Sequence, residues 1–541
     1  MKTWKKATMS CMMAAMVLGA AACGGEIPDN IVKDYYEITV ACQSEDSEKK
    51  VLEVLAAAYT AKNPDTKIKI TTFSGKDFEN YMLGLAQNRN DSPNIIWTSD
   101  SYHGRWDNYF TDLRPFYERS AETDYSLYYE AMLDTASQNG YFKPTKNYTG
   151  EFRKNDLDTN SDGLESYSNH SPYGLYYAPR DYNKPAVLCN THIFKKLDER
   201  YEAMIIEEKG ALPADYQSTM DRMDAIVAGE DWNEAEDLFA YARVVAERIT
   251  YILNTVDQKL LDDSIPGDEL KNLISIQNEW QNISVADLKL GWEPSYVTLL
   301  TGMGVTNIVN EDGSLGLASH KDTLERLHGL MYPDGVRNLY YSEGEDASFA
   351  AGRTMMRVVS RPVVLGFIDT FTIAYGSAGL QCLQFPVEAV AAGNSGYAIN
   401  NYYHGKGVTV NGVYKSYDDM SWDFIKYIIT EEGQEVAGAT GNNIPVMKKL
   451  YDKEANGGVE PAWRKVEELQ GMNHDAWVAG AELKQDWFNI YNARSRTGLR
   501  GFIQQFFNNF QKSNYMEGSL DALLDRTNKN YNSLSPTKNL L

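Results

Sequence analysis

Two periodicities alternate along the first hundred residues. Ile38–Cys42 is a short apolar run that reads as a strand. Val51, Leu55, Ala58 and Tyr59 then recur at helical spacing, after a cap at Asp46 or Ser47 and before the stop Asn63-Pro64. Lys67–Thr72 alternates Ile68 and Ile70 with polar neighbours, a second strand. Phe78, Tyr81, Met82 and Leu85 mark a second helix over 77–89, and Pro93 leads into a third strand, Asn94–Trp97. Strand and helix in alternation predict a parallel sheet with right-handed crossovers. Ligands bind such sheets outside the carboxyl ends of the strands. Those ends are Gln43–Asp46 and Thr98–Trp106, the second holding Asp100, Tyr102, His103, Arg105 and Trp106 in one loop. A helix cap with surface aromatics would use the same residues.

Further along, 171–194 is an extended segment. Tyr173, Tyr176, Tyr177 and Pro179 precede the polar pair Arg180-Asp181, and the apolar run Ala186–Leu188 closes on Asn190. Pro179 and Pro185 disfavour helix for the residues before them. The pattern suits a crossing between two bodies, with aromatic and charged groups where they meet. Asp231 and Glu234 have the spacing of a capping box before a helix over 231–253, whose buried stripe is Leu238, Ala242, Val245 and Ala246. Met355–Val359 reads as a strand. Leu520, Leu523 and Leu524 mark a terminal helix within 518–535.

Composition narrows the class. The 541 residues suffice for two or three domains, and 43% hydrophobic with 23% charged residues is a globular balance. A net charge of −23 argues against a nucleic-acid partner, which requires clustered Lys and Arg. Lys2, Lys5 and Lys6 precede an apolar stretch, Met9–Ala22, that is shorter than the roughly 20 residues of a membrane-crossing helix. This predicts a secretory signal over residues 1–22. Beyond it, Cys42, Cys189 and Cys382 are too widely spaced for a disulfide framework or a zinc site and read as small buried hydrophobes. No phosphate-cradling G-x-x-x-x-G-K-[S/T] occurs.

The order of these elements resembles a known family. Residues 38–116, through Asn63-Pro64, Pro93–Trp97 and Phe110–Pro115, resemble the opening of a bacterial extracellular solute-binding protein of the maltose-binding-protein-like, carbohydrate-transporter group. The Pro179…Asn190 crossing fits, although Cys189 stands where the family usually has Tyr. Asp231-Trp232-Asn233-Glu234, Phe349–Met356, the second crossing Gly393–Ile399 and the late segment 418–447 follow in the family's order. Insertions at 117–170 and 255–290 place the chain among larger members. Ala-Ala-Ala-Cys at 20–23 resembles a lipobox, so Cys23 would carry the lipid (palmitate) and residues 23–37 would form a tether.

The resemblance implies an α/β, two-lobed, type II periplasmic-binding-protein-like fold with an interlobe cleft and hinge strands. The first lobe would be 38–181 with 398–450, the second 182–397 with 451–541. It implies a monomer, not an enzyme, lipid-anchored on the outer face of a bacterial membrane, that captures a carbohydrate (an oligosaccharide) and delivers it to an ABC permease. Sugars need bidentate polar groups and aromatic platforms. Asp100, Tyr102 and Trp106, Arg180 and Asp181, and Trp292, Arg361 and Tyr397 supply these, with Tyr177 as a stacking residue. Asp158, Asn160 and Asp162 alternate before Gly163, and with the Leu164 carbonyl could wrap a structural Ca2+, although Asn169 replaces the bidentate Glu of an EF-hand. An Asx-rich turn is the other reading. The alternatives in function are a secreted glycan-active hydrolase using two carboxylates, a ligand-presenting sensor, or a binder of a non-sugar solute.

Overall fold

The computed structural model describes residues 34–43, 46–87, 92–99, 107–137, 140–159, 171–305, 307–337, 339, 346–376, 379–387, 393–441, 443–480, 496–510 and 519–534. Among them the strands are β1 (Tyr36–Gln43), β2 (Thr66–Phe73), β3 (Ile95–Ser99), β4 (Ala178–Pro179), β5 (Ala186–Asn190), β6 (Ser284–Asp287), β7 (Thr354–Val359), β8 (Leu380–Leu383), β9 (Ser395–Ile399), and the hairpin β10 (Gly407–Val410) and β11 (Val413–Ser416).

β1 pairs in parallel with β2 and β3, as the alternation of strand and helix predicts. The first sheet then gains two antiparallel members from far along the chain, giving the order β2-β1-β3-β9-β4. The second sheet runs β6-β7-β5-β8, with β6 parallel to β7 and β5 antiparallel to both its neighbours. The chain thus leaves the first sheet at β4, enters the second at β5, and returns between β8 and β9.

Local sequence explains the elements that frame the crossings. The helix Asp46–Lys62 stops where Pro64 can donate no backbone hydrogen bond; Asn63 N and Nδ2 both reach Tyr59 O at 3.0 Å. It buries Val51, Leu52, Leu55, Ala56 and Tyr59, while Ala58 stays half-buried, so the core face is turned slightly from the expected stripe. The long helix Ala235–Lys259 begins later than expected. Its N-cap is Glu234, and Asp237 Oδ2 accepts from Asn233 N at 2.8 Å and Glu234 N at 2.9 Å. The capping box is therefore Glu234/Asp237 rather than Asp231/Glu234. Asp231 takes a φ of 39°, and the Trp232 indole donates to Gln384 O at 2.6 Å, so this stretch is used to seat the tryptophan. The stripe Leu238, Ala242, Val245 and Ala246 is fully buried, as its spacing requires.

Three apolar clusters result. The first lies on the first sheet and the helix Tyr417–Ile429. Much of the described part of the 117–170 insertion belongs to it, with Tyr125 packing 5.0 Å from Phe142 and 5.2 Å from Tyr148, while Tyr129 and Met132 pack with the third cluster. The second cluster covers one face of the second sheet with Ala235–Lys259, Arg496–Phe510 and Ser519–Asn532. The third takes in the other face, the helix Arg361–Tyr375, Tyr182, Ile444, Trp463 and Trp477. Cys42, Cys189 and Cys382 are buried free thiols.

Candidate functional site

β1, β3 and β4 all point their carboxyl ends toward one edge of the first sheet, ending at Gln43, Ser99 and Pro179; β9 starts there, with Ser395 opposite Ser99. Arg180 and Asp181 follow β4 directly and meet the start of β9. Arg180 N donates to Ser395 O at 2.8 Å. Asp181 Oδ1 accepts from Ser395 N at 2.8 Å and from its hydroxyl at 3.0 Å. Glu48, on the first turn of the helix after β1, completes the group: Arg180 Nη2 donates to Glu48 Oε1 at 2.8 Å and to Asp181 Oδ2. One guanidinium thereby ties a helix start to both crossings.

The electrostatics of Arg180 are unusual. Its side chain is 1% exposed. Burial works against the charge, but Glu48 and then Asp181 outweigh it and hold the pKa well above the ordinary arginine value. Arg180 Nε and Nη1 are buried and have no hydrogen-bond partner among the described residues, and the same is true of the Tyr397 hydroxyl. Tyr397 sits in β9 opposite Ala178, close enough for the two groups to interact electrostatically; burial raises the phenol pKa, and Arg180 opposes it. Unpartnered buried donors cost stability, so this edge carries polar capacity that the fold itself does not use.

Three chain segments run together beside this group. Asn183 and Gly393 exchange backbone hydrogen bonds of 2.8 and 2.6 Å. Tyr182 N donates to Ile444 O at 2.9 Å, and Asp181 bridges to Pro445. On the facing edge, β6 and β7 end beside a buried Asp287–Arg357 ion pair of 3.3 Å. Trp292 caps the helix Glu293–Gly302 just after β6, half-buried, with Lys289 Nζ 5.9 Å from its ring.

The structure therefore gathers Arg180, Asp181 and Tyr397, and places Trp292 after the end of β6 in the other sheet. It corrects two other expectations. Tyr177 is in the first core, 1% exposed, and its hydroxyl binds Asn394 Oδ1 at 2.5 Å; it offers no stacking face. Arg361 is fully buried in the third cluster. Its Nε donates to Gly441 O at 3.0 Å, Nη1 meets His474 Nδ1 at 2.9 Å, Nη2 donates to Trp463 O, and its guanidinium carbon lies 4.9 Å from the Trp463 ring centre. All three nitrogens are engaged by protein, so none is left for a ligand. Burial pushes its pKa down to about 9. Asp100, Tyr102 and Trp106 lie outside the described residues.

The proposed calcium loop fares similarly. Asn160, Asp162 and Leu164 lie outside the described residues, as does Cys23. Asp158 is buried, and its Oδ2 accepts from Arg114 Nη1 at 3.0 Å and from the Ser171 hydroxyl. A carboxylate already paired with a guanidinium does not fit a cation ligand, because the two positive charges would compete for it. No group of three or more His, Cys, Asp or Glu among the described residues could hold a metal ion.

Sequence reasoning missed Glu48, Ser395 and Asn394. Glu48 had a signal, being three residues into the helix that follows a strand's carboxyl end. Asn394 and Ser395 lie in the expected second crossing, Gly393–Ile399, but nothing local marked their side chains, whose partners are more than two hundred positions away.

No protein-family model and no curated sequence matches the chain. Solved structures do. A sugar transporter from Rhizobium etli in an open conformation aligns at a TM-score of 0.55 and 14% identity, covering 92% of this chain and 100% of that one. The GacH receptor of Streptomyces glaucescens, solved with acarbose, aligns at 0.53 and 13%, covering 93% and 99%. An ABC substrate-binding protein from Listeria monocytogenes, solved with cycloalternan, gives 0.54 and 13%, covering 92% and 99%. The chain has the two-lobed, type II solute-binding fold. In that fold the gap between the facing strand ends is the interlobe cleft, and the three adjoining segments, bridged antiparallel at Asp181–Pro445 and Asn183–Gly393, are its hinge. A separate cavity of 650 Å³, lined by His192, Lys195, Arg353 and Tyr375 among others, lies at the opposite end of the second sheet and is not the cleft. No helix among the described residues is long and apolar enough to cross a membrane.

Proposed function

We propose that this protein is the substrate-binding component of an ABC sugar importer, capturing a carbohydrate by lobe closure and handing it to a permease. The observation that carries the reading is Arg180: a buried guanidinium at the hinge, in a fold shared with sugar-binding proteins, with two donor positions that no group among the described residues fills. A sugar hydroxyl or ring oxygen is a matching acceptor. Arg180, Asp181 and Tyr397 supply the polar floor; Trp292 offers an aromatic face from the second lobe, and Asp100, Tyr102 and Trp106 from the loop after β3 complete the set. The division into lobes is 38–181 with 395–450 against 182–394 with 451–541; the return boundary falls before β9 rather than at 397/398, because Ser395–Tyr397 pair with β3 of the first sheet. Closure stabilises the bound state because only the closed form makes contacts from both sides. The chain is anchored through a lipid on Cys23, on the outer face of the membrane.

A hydrolase reading is disfavoured by the same cluster. Glu48 and Asp181, the carboxylates brought together here, are both committed to one guanidinium, which leaves neither as the proton donor that glycoside cleavage needs. Calorimetry against mono- and oligosaccharides, including malto-oligosaccharides, tests the proposal. Binding of at least one sugar without turnover is expected; no binding across the panel, or hydrolysis of any member, overturns it. Replacing Cys23 by Ser should move the protein from the membrane fraction to the medium.

A further inference from the structure

The late dipeptide Gly433-Gln434 has a position that composition does not explain. Gly433 has an ordinary negative φ, so its requirement is space: a Cβ there would lie 1.9 Å from Tyr427 O and 2.9 Å from Ile428 Cα. The helix Glu431–Gly438 thus rests directly on the backbone that ends the preceding helix. This contact delivers Gln434, fully buried, between three separate backbone segments. Its Nε2 donates to Arg180 O at 2.8 Å and to Ile428 O at 2.9 Å, and its Oε1 accepts from Val446 N at 2.8 Å.

Where those partners lie is the key fact. Val446 and the helix end at Ile428 belong to the first apolar cluster, and Arg180 directly follows the last strand of the first sheet. Two residues further along each hinge segment, Tyr182 and Ile444 belong to the third cluster, with the second sheet, and bond to each other. Gln434 therefore grips two of the three hinge segments at the last point where they are still attached to the first lobe. Its partners are backbone groups, so the grip fixes chain position.

We propose that Gln434 is a positioning residue that sets where the hinge begins to bend, and that it thereby holds Arg180 in register with the cleft; this rests on the binding-protein reading above. With Arg180 O and Val446 N clamped, rotation is confined to the residues beyond them. Without the clamp, the first lobe's end of both segments can yield, and the lobes sample more orientations. The binding-competent fraction falls, and apparent affinity falls with it.

The test uses Gln434→Met, which keeps the side-chain volume and removes all three hydrogen bonds, with spin labels at the exposed positions Glu53 and Ile373, one on each lobe. The expected result is a broader interlobe distance distribution in the absence of sugar. A bound-state distance matching the unmodified chain and an affinity loss of about tenfold for any sugar the unmodified chain binds should accompany it. Gln434→Glu keeps the acceptor for Val446 N but sets a carboxylate against two carbonyls, and serves if the Met variant does not fold. A lowered melting temperature with an unchanged ligand-free distance distribution would overturn the proposal, because a merely structural glutamine would behave so. The ligand-free distribution needs no sugar, so the clamp is tested even if no carbohydrate binds.

Discussion

Two buried arginines, Arg180 and Arg361, look alike in sequence: each comes within two residues of a strand's carboxyl end, and each is next to a proline. The structure gives them opposite tasks. Arg180 is held by two carboxylates, keeps its charge against burial, and retains two donor positions unfilled among the described residues. Among the described residues Arg361 has no carboxylate partner. It is surrounded by carbonyls, a histidine and a tryptophan ring, every nitrogen is engaged, and burial lowers its pKa to about 9. On the proposed reading, a buried cation marks a binding site when its countercharges are present and its donors are not exhausted. A cation whose donors are all filled by backbone carbonyls is a device for closing a core around a loop.

The sharpest way to break this comparison is Arg180→Met. It leaves Glu48 and Asp181 close together with their countercharge gone, which should cost about 3–5 kcal/mol of folding stability in urea unfolding. Sugar binding should be lost with it. If affinity survives, Arg180 is not the cleft's polar centre. Arg361→Met leaves Gly441 O, Trp463 O and His474 Nδ1 without their donor and should cost about 1–3 kcal/mol, with sugar affinity changed less than twofold. A large affinity loss there would place Arg361 back in the site.

A smaller effect comes from His474, the neighbour of Arg361. Burial, then Arg361 and Arg464, depress its pKa from 6.5 to about 3. The unfolded chain therefore binds a proton below pH 6.5 that the folded chain refuses. The stability it contributes is complete above that pH and drains as pH falls toward 3. About 2 kcal/mol should be lost by pH 5 from this group alone, and His474→Asn should flatten that part of the acid limb. An unaltered limb would mean that His474 titrates normally and that the surroundings of Arg361 are wetter than the packing indicates. The smallest expected effect is none at all: EDTA should leave the melting temperature unchanged, because Asp158 Oδ2 is already engaged by the Arg114 guanidinium, which it shares with Asp112, and by the Ser171 hydroxyl. A fall on chelation would restore the calcium loop.

Much of this was legible beforehand because it is local. The parallel opening, the stripe of Ala235–Lys259, the extended crossing at Arg180-Asp181 and the terminal helix all follow from spacing within one segment. Boundaries slipped where a single side chain had a distant appointment, as with Trp232, whose bond to Gln384 moved the helix cap by three residues. Tyr177 and Arg361 could not have been sorted from the other candidate residues, since the groups that enclose them, Asn394 and Gly441, Trp463 and His474, come from remote parts of the chain.

The sequence by itself determined the alternation of strand and helix, the apolar faces those elements bury, and the place where the chain crosses between sheets, because backbone geometry and periodicity act over a few residues. Only the tertiary structure decided which buried cation has unfilled donors among the described residues, which acid pairs with an internal guanidinium, and which glutamine joins Arg180 O to Val446 N. Those outcomes depend on partners brought together across hundreds of positions, and neither charge nor hydrogen-bond saturation can be counted until the partners are known.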